Sequence, residues 1–445
     1  MKLAFIAIAL SSIDSYPSSD SVPSLAALTA RVTLTSLAAG GEAVGRLPDG
    51  RVVFVPGSAP DELADVAIEE VRKGYVRALL RNIVRPSPHR VNPACVLATP
   101  GRCGGCPLMH IAAPAQQSAK QDWVLRAVRH SGARVLPLLT PTPPLAYRVR
   151  AKLGVTGGKL SFSLLRSNQR QVVSSCAVLS PQLARVLFGP ADRLVSLIGD
   201  GGTLAALVGQ HDGQTGVQLA VELGPAGRRS EVRDEVKRLW ESGIIVGGIV
   251  GDEVIGCAAL MLDDSFAPLF ASADGFAQAS AAGHTILPAL LRDAVAHGFD
   301  SPPTVLELYA GSGNLTRAIC DVASLVVAVE GEPRAAARLH ALQKQLPRLQ
   351  VHALAVEKAL PLVLKSQPHF DVIVLDPPRG GARSIVSRLG GVKAKRIVYV
   401  SCDAMTLGRD LVELRKLGYQ PQTVQPIDLM PQTAEVECIA VLDGP

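Results

Sequence analysis

From residue 31 the chain alternates apolar and polar positions with a period of two, a pattern that predicts strands. Val32-Thr-Leu-Thr-Ser-Leu reads as one strand and Arg51-Val-Val-Phe-Val as another. Ala64-Asp-Val-Ala-Ile-Glu-Glu-Val alternates like a half-buried strand, and Tyr75-Val-Arg-Ala-Leu-Leu-Arg-Asn-Ile-Val follows until Pro86 stops it. Gly40-Gly41 and Pro48-Asp49-Gly50 supply the turns. Several short strands in about 60 residues predict a small closed barrel of the OB type over residues 29–90. Residues 1–28 are rich in Ser, Ala and Leu and carry no clear element, so they are expected to be a poorly structured extension.

Residues 91–264 mix short strands, helices and cysteines, which predicts a central α+β domain. Ala115 to His130 reads as a helix. Tyr147-Arg-Val-Arg-Ala-Lys-Leu-Gly-Val alternates basic and apolar residues, as a strand with one face toward phosphate would. From residue 265 to 445 the pattern becomes α/β. A helix around Thr285–His297 precedes the apolar runs Thr304-Val-Leu-Glu-Leu, Leu325-Val-Val-Ala-Val, Val372-Ile-Val-Leu and Arg396-Ile-Val-Tyr-Val. Helical stretches separate these runs, so a doubly wound parallel sheet is expected.

Composition narrows the class. With 48% hydrophobic and 19% charged residues in 445, the chain is globular and long enough for several domains. No apolar run reaches the roughly 18–20 residues that a membrane span requires. Eight cysteines at this length do not make a disulfide scaffold. A cytoplasmic, monomeric protein without a membrane partner is therefore expected. The net charge of +6 hides an asymmetry, because Val71 to Cys176 holds seventeen Lys/Arg and the single acid Asp122. A basic stretch of that length points to a polyanionic partner, with RNA or DNA the first class to consider.

The first candidate site is a loop. Glu307-Leu-Tyr309-Ala-Gly311-Ser-Gly313-Asn314 follows an apolar strand and opens a helix, and the next strand ends at Glu330. Two close glycines let backbone approach a ligand, and a strand-terminal acid can accept both ribose hydroxyls. No Lys-Ser/Thr follows the glycines, and the third glycine of a dinucleotide loop is missing. S-adenosylmethionine, a nucleoside without pyrophosphate, suits such a loop best.

Three further clusters lie at later strand ends: Asp376-Pro-Pro-Arg379, Ser401-Cys402-Asp403 with Thr406-Leu-Gly-Arg409-Asp410, and Asp428-Leu-Met-Pro431-Gln-Thr433-Ala-Glu-Val436-Glu437. Cys402 stands between a buried strand and a helix, where a helix N-terminus is expected to lower its pKa. In this order the three motifs resemble the uracil-C5 RNA methyltransferase family, and Phe276-Ala-Gln278 resembles the element preceding its cofactor domain. The resemblance spans residues 31 to 442. It implies a Rossmann-like methyltransferase domain in which Cys402 is the nucleophile and Glu437 the proton acceptor. It further implies that Gln278, Tyr309, Glu330 and Asp376 contact S-adenosylmethionine, with Gly311, Gly313 and Asn314 shaping the loop.

Cys95, Cys103 and Cys106 form Cys-x7-Cys-Gly-Gly-Cys, and Cys176 lies seventy residues further on. Spacing alone leaves structural zinc and an iron–sulfur cluster open. The resemblance implies a 4Fe-4S cluster on these four thiols. Gly45-Arg46, Gly50-Arg-Val-Val-Phe-Val-Pro-Gly and Tyr75-Val-Arg-Ala resemble the TRAM-type RNA-binding barrel. Family branches carrying both accessories act on 23S rRNA, so a 23S uridine is the implied target. A tRNA T-loop uridine and a catalytically silent RNA-binding or ribosome-assembly role are the alternatives. Glu435 departs from the His common at its position, and Ala355 from an amide or acid near the adenine.

Overall fold

The computed structural model describes residues 29–445, so the expectation for 1–28 lies outside the described residues. They form two compact units. The first contains residues up to 119 with segments 163–171 and 432–434; the second contains 120–162, 172–431 and 435–445.

In the first unit β1 (Thr29–Leu37), β2 (Ala43–Arg46), β3 (Val52–Val55), β4 (Leu63–Arg72) and β5 (Tyr75–Arg85) close into a barrel of order β1-β2-β3-β5-β4. β3 and β5 pair in parallel, whereas β1 with β2, β1 with β4, β2 with β3 and β4 with β5 pair antiparallel. Alternate positions fill the interior: Val32, Leu34, Val53, Val55, Ala64, Val66, Val76 and Ala78 are buried. Gly45 is required where β1 crosses β2, since a Cβ there would lie 2.6 Å from the Thr33 carbonyl oxygen. Closure leaves no long open edge for other chains to pair with.

The second unit carries two sheets. One is built on β7 (Arg150–Thr156), β8 (Lys159–Ser163), β10 (Thr203–His211), β11 (Gln214–Glu222), β12 (Gly247–Val250) and β13 (Glu253–Gly256), in the order β13-β12-β11-β10-β7-β8. β9 (Arg170–Val172) lies in the chain between β8 and β10; β14 (Leu260–Asp263) pairs with β10 and with β15 (Leu269–Ala271). The helix Arg229–Glu241 buries Val232, Val236 and Leu239, and Val236 packs where Gly248 lacks a side chain. The alternating face of β7 does not stand free for phosphate. Arg150 donates to the Gly275 carbonyl at 2.6 Å, and Lys152 pairs with Glu222 at 2.9 Å.

The other sheet contains β6 (Arg134–Val135), β16 (Thr304–Leu308), β17 (Leu325–Val329), β18 (Leu349–His352), β19 (Val372–Leu375), β20 (Arg396–Ser401), β21 (Gln420–Ile427) and β22 (Glu437–Asp443). Its order is β18-β17-β16-β19-β20-β22-β21-β6. β16 to β20 are parallel, and β22 runs antiparallel to both neighbours. Interior strands of a sheet covered by helices must be apolar on both faces, and every residue of β19 is buried. Val305, Val326, Val374 and Val398 pack with Leu287, Leu291 and Val295 of the helix Ala282–Ala296. The strand order reverses between β16 and β19, which opens a crevice at their carboxyl ends. No helix among the described residues is long and apolar enough to cross a membrane.

Candidate active site

The glycine loop stands at that crevice. Beyond β16 the backbone turns left-handed at Tyr309 (φ 65°), Gly311 (φ 60°) and Gly313 (φ 91°). The two glycines have different reasons. A Cβ on Gly311 would meet nothing within 4 Å, leaving that backbone open to a ligand, whereas one on Gly313 would lie 2.7 Å from the Leu342 side chain. The Gly311 N–H donates to Glu330 Oε2 at 2.8 Å, which couples the loop to the end of β17. Asn314 Nδ2 donates to the Gly283 carbonyl at 3.0 Å. Phe276, Gln278, His284, Gly311, Asn314 and Asp376 line one cavity against this loop. Four sequence-predicted residues thus share a cavity, Glu330 meets it through Gly311, and Tyr309 and Gly313 shape the backbone.

The polar groups here fit a cationic nucleoside. Burial pushes the Glu307 carboxyl up to about 8, the Thr316 hydroxyl opposes this, and Asp376 and Glu330 add to it. Burial first, then Glu330, raises Asp376 to about 7. His284 is pushed down to about 4 by burial and the nearby Arg317, and Asn314 Oδ1, on another residue lining this cavity, is buried without a partner. An ammonium or sulfonium group would relieve the crowded carboxyls, and a polar nucleoside would satisfy the orphaned acceptor. S-adenosylmethionine has both.

The reactive end is built by β20 and β22. Ser401 pairs with Cys438, and just beyond that pair Cys402 leaves β20 near Glu437 at the start of β22. Asp403 caps the helix Ala404–Lys416 by accepting the Thr406 N–H at 2.8 Å. The expected lowering of the Cys402 pKa is not found. Burial, followed by Glu437, pushes the thiol up to about 11, and Arg379 opposes this. The helix N-terminus already serves Asp403, and the thiol sits among carboxyls. Glu437 is pushed up to about 8 by burial, Asp376 and Glu435, again opposed by Arg379.

Two supports hold these loops. Asp410 is buried and accepts from Tyr399 Oη at 2.8 Å and the Ala382 N–H at 2.7 Å, while Arg409 donates to Asp410 and to the Gly380 carbonyl. The Asp376-Pro-Pro-Arg loop is thereby tied to the helix after Cys402. Lys120, fully buried, donates to Asp428 Oδ1 at 2.7 Å and to the Met430 carbonyl at 3.1 Å. Tyr147 Oη donates to the Pro431 carbonyl at 3.0 Å.

Cys95, Cys103 and Cys106 belong to the first unit and Cys176 to the second, and all four are half-buried. Cys103 and Cys106 line a cleft with Arg77, Arg102 and Arg166. Four thiols are a soft donor set of the kind iron–sulfur clusters use. Among the described residues no three His, Cys, Asp or Glu stand close enough to hold a single metal ion.

Glu307, His284, Lys120 and the pairing of Arg379 with Glu435 escaped the sequence reading. Glu307 had a signal, an acid inside an otherwise apolar strand. The others reveal themselves only through burial and distant partners.

The switch-point crevice, the glycine loop and the neighbouring thiol and carboxyl define an α/β methyltransferase with an appended OB-type barrel. Residues 28–80 match the family model described as TRAM domain, and residues 295–409 match Conserved hypothetical protein 95. The chain is 30% identical over 430 residues, 92% of each chain, to the 23S rRNA (uracil(1939)-C(5))-methyltransferase RlmD of Pectobacterium atrosepticum. It is 28% identical to the protein of the same name from Edwardsiella ictaluri, covering 93% of this chain and 95% of that one. The fold matches the crystal structure of Pyrococcus abyssi tRNA (uracil-54, C5)-methyltransferase in complex with S-adenosyl-L-homocysteine. That match has a TM-score of 0.67 at 18% identity and covers 93% of this chain and all of that one. The chain belongs to the RNA uracil-C5 methyltransferase family.

Proposed function

We propose that this enzyme methylates C5 of a uridine in 23S rRNA, using S-adenosylmethionine as methyl donor. The observation that carries the reading is that Cys402 and Glu437 come together just beyond the end of the β20–β22 ladder, with Asp376 of the cavity lined by Gln278, Gly311 and Asn314 acting on both. Its support on substrate is the full-length likeness to relatives named 23S rRNA methyltransferases.

Uracil C5 is too weak a nucleophile to attack a methyl group unaided. The Cys402 sulfur, after losing its proton, adds to C6 and leaves an enolate with negative charge at C5. Bound S-adenosylmethionine supplies an electrophilic methyl sulfonium at that carbon. Glu437 then accepts the C5 proton, and the C6–S bond breaks with its electrons returning to sulfur. A carboxyl raised to about 8 is well matched to that task, because a base works best when its pKa lies near the working pH. The target base must leave its stack to reach the crevice.

Around this centre, residues 29–90 form an RNA-binding TRAM barrel and residues 265–445 hold the donor through Gln278, Tyr309, Gly311, Gly313, Asn314, Glu330 and Asp376. Residues 91–264 form a central domain whose Cys95, Cys103, Cys106 and Cys176 bind a 4Fe-4S cluster. The cluster reading rests on the resemblance of the cysteine pattern to the 4Fe-4S site of the family, spacing alone leaving zinc open, and its role is structural, since methyl transfer draws no electrons from the protein. Mapping 5-methyluridine by mass spectrometry in rRNA and tRNA from a deletion strain tests the assignment. Loss of one 23S 5-methyluridine, restored by the wild-type gene and not by Cys402→Ala, is expected. Loss confined to tRNA would overturn the substrate, and no loss in either would overturn the activity.

A further inference from the structure

The loop after β19 carries Arg379, and the loop before β22 carries Glu435. Their side chains meet at 2.7 Å, with Arg379 71% and Glu435 30% exposed. Because β20 lies between β19 and β22 in the sheet, this ion pair joins the loops on either side of the end of β20, where Cys402 follows Ser401 in a site crowded with acids. Asp376, Glu435 and Glu437 all act on the Cys402 sulfur and raise its pKa, and Asp403 adjoins it in sequence. Arg379 acts in the opposite sense on both Cys402 and Glu437.

The chemistry makes this arrangement consequential. When the thiol loses its proton, a negative charge appears in a partly desolvated pocket already surrounded by carboxyls. Addition to C6 moves that charge onto the uracil ring without removing it from the cluster. A guanidinium fixed nearby offsets the charge at both stages and needs no reorganisation when the reaction begins. Arg379 cannot lose its own proton in the working pH range, so its charge is constant. Exposed as it is, its long side chain would sample many rotamers without a partner. Glu435 supplies that partner, and at the same time adds a negative charge that weakens the field reaching the sulfur.

We propose that Arg379 is a positioning cation for the Cys402 thiolate and that Glu435 sets its strength, holding the guanidinium near the end of β20 while partly neutralising it. The two residues together tune how readily the nucleophile forms. For its catalytic consequence the inference rests on the methyltransferase reading above.

The test is the pH profile of Cys402 alkylation by iodoacetamide in the full-length protein, followed by mass spectrometry of the peptide containing Cys402. Arg379→Gln should move the profile to higher pH, with alkylation about threefold slower at pH 9. Arg379→Lys should retain most of the wild-type rate. Glu435→Gln can still accept a hydrogen bond from Arg379 but carries no charge, so it should move the profile to lower pH. The Arg379→Gln/Glu435→Gln double variant should lose most of that downward shift. An Arg379→Gln profile that superimposes on wild type, or two single variants that shift in the same direction, overturns the proposal. Alkylation requires neither RNA nor S-adenosylmethionine, so this outcome is independent of whether uracil is the base methylated. In methylation assays the pH dependence of kcat/KM should shift with the alkylation profile, whereas a purely structural role for Arg379 would lower the rate equally at every pH.

Discussion

Ser401 and Cys438 face each other at the last pair of the β20–β22 ladder, and Cys402 and Glu437 follow directly at the ends of these strands, close enough for the Glu437 carboxyl to act on the thiol. The proposed nucleophile and base are therefore brought together by one strand register. A one-residue slip would turn Glu437 to the other face of the sheet.

The two groups act at different ends of the cycle, which makes them separable. Cys402→Ala should abolish methylation by at least several orders of magnitude, because no adduct forms at C6. Glu437→Gln should still add and transfer the methyl but fail to release it. A covalent protein–RNA band containing the methyl group, stable to denaturing electrophoresis, is expected for Glu437→Gln and absent from the double variant. Wild-type turnover by Glu437→Gln would move the base elsewhere.

Glu307 links the cavity to pH-dependent stability. Its folded pKa of about 8 lies above the roughly 4.3 of an unfolded Glu. The stability it contributes is thus complete below about pH 4 and is lost as pH rises through 8. Glu307→Gln keeps the shape without the titration. In the absence of ligand, its gain over wild type should be small at pH 5 and grow to about 2–4 kcal/mol at pH 8.5 by thermal melts. A constant difference across pH would contradict the assignment.

Lys120 and Asp428 form a buried ion pair, and removing one partner strands the other charge. Lys120→Met should cost about 3–5 kcal/mol, read from the urea midpoint of Trp123 fluorescence. Trp123 is buried on the same helix, less than one turn from Lys120. The double change Lys120→Met/Asp428→Asn should recover much of the loss. Equal destabilisation by the single and double variants would mean that the pair is not coupled.

RNA affinity should depend steeply on salt, given seventeen Lys/Arg between Val71 and Cys176. With six phosphates contacted, log K against log salt should fall with a slope of roughly −4 to −5 for single-stranded RNA. Arg150 and Lys152 have protein partners, so neutralising them should change that slope little. A flat salt dependence would mean that the segment does not meet RNA.

Protein purified without oxygen should be brown and contain iron and sulfide. Cys106→Ser should lose both while leaving Cys402 alkylation unchanged. Stoichiometric zinc and no iron would defeat the cluster assignment.

Much of this architecture is legible in the sequence where burial imposes a period. β1, β4, β5 and the apolar runs of β16, β17, β19 and β20 fall where the pattern puts them, because each has a face, or both faces, that must be dry. β21 was not legible. Gln420-Pro-Gln-Thr-Val-Gln-Pro-Ile is polar and carries two prolines, yet it pairs with β22 around a bulge at Pro421 and Thr423. The motifs single out Cys402 and Glu437 as candidates, but they do not carry the direction in which the thiol pKa moves. A helix N-terminus is visible in sequence, whereas the burial that raises the thiol, and the acids that add to it from the loop after β19 and the start of β22, come from the tertiary fold. Lys120 and Asp428 are 308 residues apart, beyond the reach of any local pattern.

The segment 134–139 runs along the outer side of β21. β6 pairs with Thr423 and Val424, and Leu136, Pro137 and Leu139 exchange further hydrogen bonds with β21 and Asp428. The helix Ala113–Val128 presses its Ala127 carbonyl close against Gly408, where no side chain would fit. The methyltransferase sheet is therefore finished by chain that precedes β21 by nearly three hundred residues. A gene fragment beginning at residue 265 would leave the outer edge of β21 bare and Asp428 without its ammonium partner, and its product should aggregate through that edge. Grafting this methyltransferase onto another RNA-binding module requires carrying residues 113–139 along with it, a boundary that domain borders drawn in linear order would miss.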